Sequence, residues 1–84
     1  MLRVTKLTDY ASVVLTVLAS APDRVMSASG LAERAGLEAP TVAKVLKPLA
    51  QAGLVHAFRG ASGGYRLARA AEDITLVEIV EAME

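Results

Sequence analysis

The feature that most constrains this chain is a glycine-rich turn, Arg59-Gly60-Ala61-Ser62-Gly63-Gly64-Tyr65, set between two short runs of strand-forming residues. Glycine reaches positive φ and carries no side chain to block a close approach, so three glycines in five residues fit a tight surface turn. Leu54-Val55-His56-Ala57-Phe58 before it and Tyr65-Arg66-Leu67 after it read as strands. The unit is a small hairpin. On its own it also reads as a plain turn joining two strands. A phosphate-cradling nucleotide loop is set aside, because no Gly-Lys-Ser/Thr follows and the segment opens no helix.

Helical periodicity surrounds the hairpin. A first helix capped by Thr5 or Thr8 runs to Ala21, where Pro22 stops it. Leu7, Tyr10, Val14, Val17, Leu18 and Ala21 form its stripe, and Val13 and Leu15 extend the apolar surface nearly all round, which predicts a helix wedged between partners. Ser27 caps a two-turn helix over 28–35 that ends at Gly36. After the turn 36–39, Pro40 opens a third helix, 40–52, stopped by Gly53. Steps of 100° place Val42, Val45, Leu46 and Leu49 inside, with Pro40, Thr41, Lys44, Lys47, Pro48 and Gln51 outside. Pro48 removes the bond to the Lys44 carbonyl and predicts a kink near 44–48. Thr75 and Glu78 have capping-box spacing ahead of a last helix whose inner face is Leu76, Ile79, Val80 and Met83, stapled by Ile74 to Ile79. That helix starts well and is never ended, which suggests either a missing continuation past Glu84 or a naturally short protein.

Two helices joined by a tight turn, the second basic on its outer face and followed at once by a hairpin, make a helix-turn-helix with a wing. The expected fold is a mainly α winged helix-turn-helix with one small β-hairpin, a single domain over 1–84.

The formal net charge is zero, yet its distribution is lopsided. Residues 1–71 hold all nine Lys and Arg against Asp9, Asp23, Glu33 and Glu38, whereas residues 72–84 hold five acids and no base. From 39 to 71 there is no acid, while Lys44, Lys47, Arg59, Arg66 and Arg69 supply five positive charges. Charges are screened over about 8 Å at physiological salt, so this local patch outweighs the chain total. The middle of the chain is a candidate anion-binding face.

The apolar run 10–21 is broken by Ser12, Thr16 and Ser20 and is too short to span a bilayer, and no signal-peptide pattern opens the chain. A cytoplasmic protein with no membrane partner is expected. With no cysteine, thiolate metal sites, disulfides and thiol nucleophiles are excluded from these residues. No acid pair, activated nucleophile or metal-ligand spacing points to an enzyme. His56, the one histidine, has no sequence neighbour that makes it a ligand, and Tyr10 reads as core.

Against their simplest reading as solvated lysines, Lys44 and Lys47 sit where a recognition helix meets base edges and phosphates, with Thr41 at its amino-terminal end. Arg59 beside Gly60 suits insertion into a narrow minor groove, and otherwise keeps a hairpin edge soluble. Gly60, Gly63 and Gly64 let the wing approach a backbone closely. Tyr65 anchors the wing with its ring packed and its hydroxyl toward a phosphate, while Arg66 and Arg69 read as rim charges. Thr5 and Lys6 are weaker candidates for a phosphate. The competing reading is a protein-interaction module, since the first and last helices both offer apolar surface.

These residues resemble the IscR-type winged-helix transcription regulators. The likeness runs through Leu2-Arg3-Val4-Thr5-Lys6, Tyr10-Ala11, Leu31-Ala32-Glu33, Ala52-Gly53-Leu54-Val55, the Arg59-Gly60…Gly63-Gly64-Tyr65-Arg66-Leu67-Ala68-Arg69 wing and Ile74-Thr75-Leu76. Ala39-Pro40-Thr41-Val42-Ala43-Lys44-Val45-Leu46-Lys47 looks closest to the branch that regulates the Suf iron–sulfur assembly operon. The resemblance implies a repressor acting as a homodimer on a palindromic operator in double-stranded DNA, paired through a long helix beyond Glu84. It also implies a 2Fe–2S cluster held by cysteines after the fourth helix, none of which lies in this chain, so no cofactor is expected on these residues. Relatives often read DNA through a glutamate where this chain has Ala43.

Overall fold

The computed structural model describes residues 6–83. The elements follow as α1 (Lys6–Ala19), α2 (Ala28–Ala35), α3 (Ala39–Gln51), β1 (Val55–Phe58), β2 (Gly64–Leu67), a 3-10 turn (Ala71–Asp73) and α4 (Leu76–Met83). This is the expected winged helix-turn-helix.

Helix α1 is the central post, packed against α2, α3, α4 and β2. Its buried positions are Thr8, Ala11, Val14, Leu15 and Leu18, a stripe rotated from the expected one, with Leu7 left at its edge. Because α1 is apolar nearly all round, its own periodicity could not choose a face; its neighbours did. Thr8 sits inside the helix rather than capping it, and Thr5, the other expected cap, lies outside the described residues. The helix also ends two residues early. Ser20 and Ala21 donate to carbonyls three residues back, Val17 and Leu18, and the Ser20 hydroxyl takes the Val17 carbonyl at 2.6 Å, while Ala21 before Pro22 is disfavoured in α conformation.

Helix α2 has the expected ends. Ser27 accepts from the Gly30 amide at 3.0 Å, and Gly36 turns out of the helix at φ 68° while Leu37 donates to the Ala32 carbonyl. In α3, Val42, Val45, Leu46 and Leu49 are buried as the periodicity requires. Thr41 and Pro48 are half-buried rather than outward, because both lie near 90–110° from the centre of the apolar face at about 100° per residue. Pro48 does not interrupt α3, whose ladder closes with Ala52 donating to the Pro48 carbonyl at 2.9 Å.

The strands pair antiparallel with Val55 opposite Leu67 and Phe58 opposite Gly64. A third segment joins them: Met26 and Tyr65 exchange both backbone hydrogen bonds, at 2.8 and 2.7 Å. At α4 the capping box forms, with the Thr75 amide donating to Glu78 at 3.0 Å and the Glu78 amide to Thr75 Oγ1 at 3.1 Å. Ile79 and Val80 are buried, whereas Leu76, expected inside, is 58% exposed and Val77 65% exposed. The first turn of α4 is held by a polar clasp from Arg69 rather than by the core.

Candidate nucleic-acid interface

The helix-turn-helix exposes one face of α3 and the turn of the wing. Along α3, Pro40, Ala43, Lys44, Lys47 and Gln51 are exposed, and Thr41 lies half-buried at the flank of its first turn. The four buried aliphatic residues behind them fix the helix, so two ammonium groups are presented to solvent from a rigid element. Among the described residues the single ion pair is Arg69 with Glu78. Among these residues Lys44, Lys47 and Arg59 therefore have no carboxylate partner.

The wing turn is built from backbone demands. The Gly63 amide donates to the Gly60 carbonyl at 2.9 Å, closing a four-residue turn, and Gly60 takes φ 102°. A side chain at Gly63 would strike the Phe58 carbonyl, and one at Gly64 would strike the backbone of Met26. Gly64 is buried beneath the Met26–Tyr65 bridge. Gly63 and Gly64 thus shape the wing against the protein itself, and Gly60, beside Arg59, is the exposed one of the three. Tyr65 is half-buried and packs against the core, as an anchor should.

Arg66 lies on the outer face of the hairpin, its guanidinium 5.1 Å from the Phe58 ring centroid, and Phe58 in turn meets His56 edge-on at 6.5 Å. Strand alternation puts His56, Phe58 and Arg66 on this one face, a grouping readable in the sequence only once the register is fixed. Arg69 is not a rim charge. Its guanidinium binds both Glu78 oxygens at 2.7 Å and the Asp73 carbonyl at 2.5 Å, so its charge is consumed at the α4 cap. That hydrogen-bonded pairing, reinforced by the Thr75 amide, pulls the Glu78 carboxyl down to about 2 and raises Arg69. Lys6 is exposed and Thr5 lies outside the described residues.

No cysteine is present, and among the described residues no group of three or more His, Cys, Asp or Glu could hold a metal ion. The donors an iron–sulfur cluster requires are not in this set. Among the same residues no helix is long and apolar enough to cross a membrane.

A basic helix-turn-helix face flanked by a wing defines the winged-helix class, an architecture suited to duplex DNA. Residues 4–84 match the Rrf2 model, described as an iron-dependent transcriptional regulator, and the chain belongs to that family. It is 41% identical over 78 residues to the HTH-type transcriptional regulator IscR of Cereibacter sphaeroides, covering 89% of this chain and 50% of that protein. The fold superposes on T. potens IscR with a TM-score of 0.86 at 36% identity, covering 99% of this chain and 61% of the other. It superposes on CymR, the global cysteine regulator of B. subtilis, with a TM-score of 0.85 at 27% identity, covering 100% and 66%. The chain spans 50–57% of the length of the curated relatives it matches. The IscR and CymR relatives are named as regulators rather than enzymes.

Proposed function

We propose that this chain reads an operator by placing α3 in the major groove, with Thr41, Lys44 and Lys47 at the contact, and the wing 59–65 in the adjacent minor groove. The observation that carries the reading is the unpaired basic face of α3 beside an exposed Arg59. Lysines neutralise phosphates along the groove, and Arg59, at a turn whose Gly60 adds no bulk, enters the narrow groove where negative potential concentrates. Gly63, Gly64 and Tyr65 support that insertion from behind, and Arg66 adds charge on the outer wing.

The regulator acts as a homodimer on a palindromic site, with recognition helices about 34 Å apart. It represses iron–sulfur cluster assembly genes, a role supported by its likeness to IscR. These residues offer no thiolate ligand for a 2Fe–2S group, so no step of this reading runs through one. Exposed Leu76 and Val77 favour a second reading, an α4 surface that binds a protein partner.

Arg59→Ala decides the wing's part. Measured by fluorescence anisotropy at fixed salt, it is expected to weaken operator binding by about 10-fold and to relax preference for A·T flanks. Unchanged affinity and preference would remove the wing from the groove. Duplex affinity that stays flat as salt rises would favour the protein-partner reading.

A further inference from the structure

Away from α3, the segment leading into α2 meets the wing turn in a cleft of about 310 Å³, lined by Arg24, Ser27, Gly30, Arg34, Ser62 and Gly63 among others. Three separate segments build it. Arg24 comes from the connection after α1, Arg34 from α2, and Ser62 from the wing turn. What holds them together is the paired Met26–Tyr65 bridge, which seats the entry to α2 on β2 and is possible because Gly64 has no side chain.

Both arginines are exposed, and among the described residues neither has an ion-pair partner. Their sequence neighbours Asp23 and Glu33 do not line the cleft. Two uncompensated guanidinium groups on one concavity repel each other and are stabilised by a shared anion. A phosphate suits them, since it accepts bidentate hydrogen bonds from the guanidinium fork. The Ser62 hydroxyl supplies a further donor from the wing side.

We propose that Arg24 and Arg34 clamp one backbone phosphate of the same duplex that α3 and the wing engage. This rests on the DNA-binding reading above. The clamp carries no sequence information; it fixes how the helix-turn-helix and the wing sit on the duplex relative to each other. The competing source of the same chemistry is a free phosphate or a phosphorylated small molecule.

The test measures duplex binding by Arg24→Gln, Arg34→Gln and the double variant across a salt series, beside Lys44→Ala and Lys47→Ala, with thermal melts to confirm folding. Each arginine variant is expected to lose about 5–10-fold in affinity near 0.1 M salt and to flatten the salt slope, the double variant by about one unit for the one phosphate lost. The loss should be equal on operator and unrelated duplex, so that the specificity ratio holds. Arg24→Lys should keep the slope and recover part of the affinity. Wild-type affinity and slope in both arginine variants, with the lysine variants impaired, would overturn the clamp and leave the DNA reading intact. Silence in all four single variants would bring down the groove assignment itself. Calorimetric titration with inorganic phosphate covers the other source: saturable binding lost in Arg24→Gln, with duplex affinity unchanged, assigns the cleft to a free anion and overturns the DNA clamp.

Discussion

Gly64 shows how much a single residue settles. Whatever Gly63 and Gly64 offer a nucleic acid, the fold itself needs their backbone bare against the protein. With φ at 154° and Met26 packed where a Cβ would stand, Gly64→Ala must push α2's entry off β2. Destabilisation by about 2 kcal/mol or more is expected in urea unfolding, accompanied by loss of amide protection at Met26 and Tyr65. A variant as stable as the wild type would mean the bridge is not rigid. Arg69 gives the same lesson with charge: five cations were countable between 39 and 71, but only the packed chain reveals that this one is tied to Glu78 while Lys44, Lys47 and Arg59 stay free.

At the scale of elements, caps and glycine stops were legible because they are local chemistry. Ser27, Gly36, Gly53 and the Thr75–Glu78 box all stand where propensity puts them, and α2 runs over the predicted residues. Arg69 joining that box was not legible, since a contact nine residues back depends on the 3-10 turn between. The consequence is testable by pH. The folded Glu78 carboxyl lies at about 2 against an ordinary 4.5, so its stabilisation is complete above about pH 4.5 and is lost as pH falls toward 2. Comparing Glu78→Gln with wild type by thermal unfolding, the stability gap should be constant near neutrality and close progressively across that window. Partial exposure of the pair keeps the gap small, and added salt should narrow it. A gap independent of pH would show that the charge contributes nothing.

For the whole molecule, the basic surface predicts how binding responds to ions. Replacing Lys44 and Lys47 together by alanine should flatten the dependence of log affinity on log salt by about two units if each meets a phosphate, without disturbing the core beneath. An unaltered slope would place the DNA elsewhere on the surface. The sequence by itself determined the order of elements, the helix-turn-helix with its wing, the inward face of α3 and the basic middle of the chain. Those follow from periodicity, caps and turn chemistry, which act within a few residues. Only the tertiary structure decided which face of α1 is buried, which cations remain unpaired, why Gly64 must be glycine, and that Arg24 and Arg34 share a cleft. Each of these is a relation between segments far apart in the chain, fixed by packing and hydrogen bonds that no local pattern encodes.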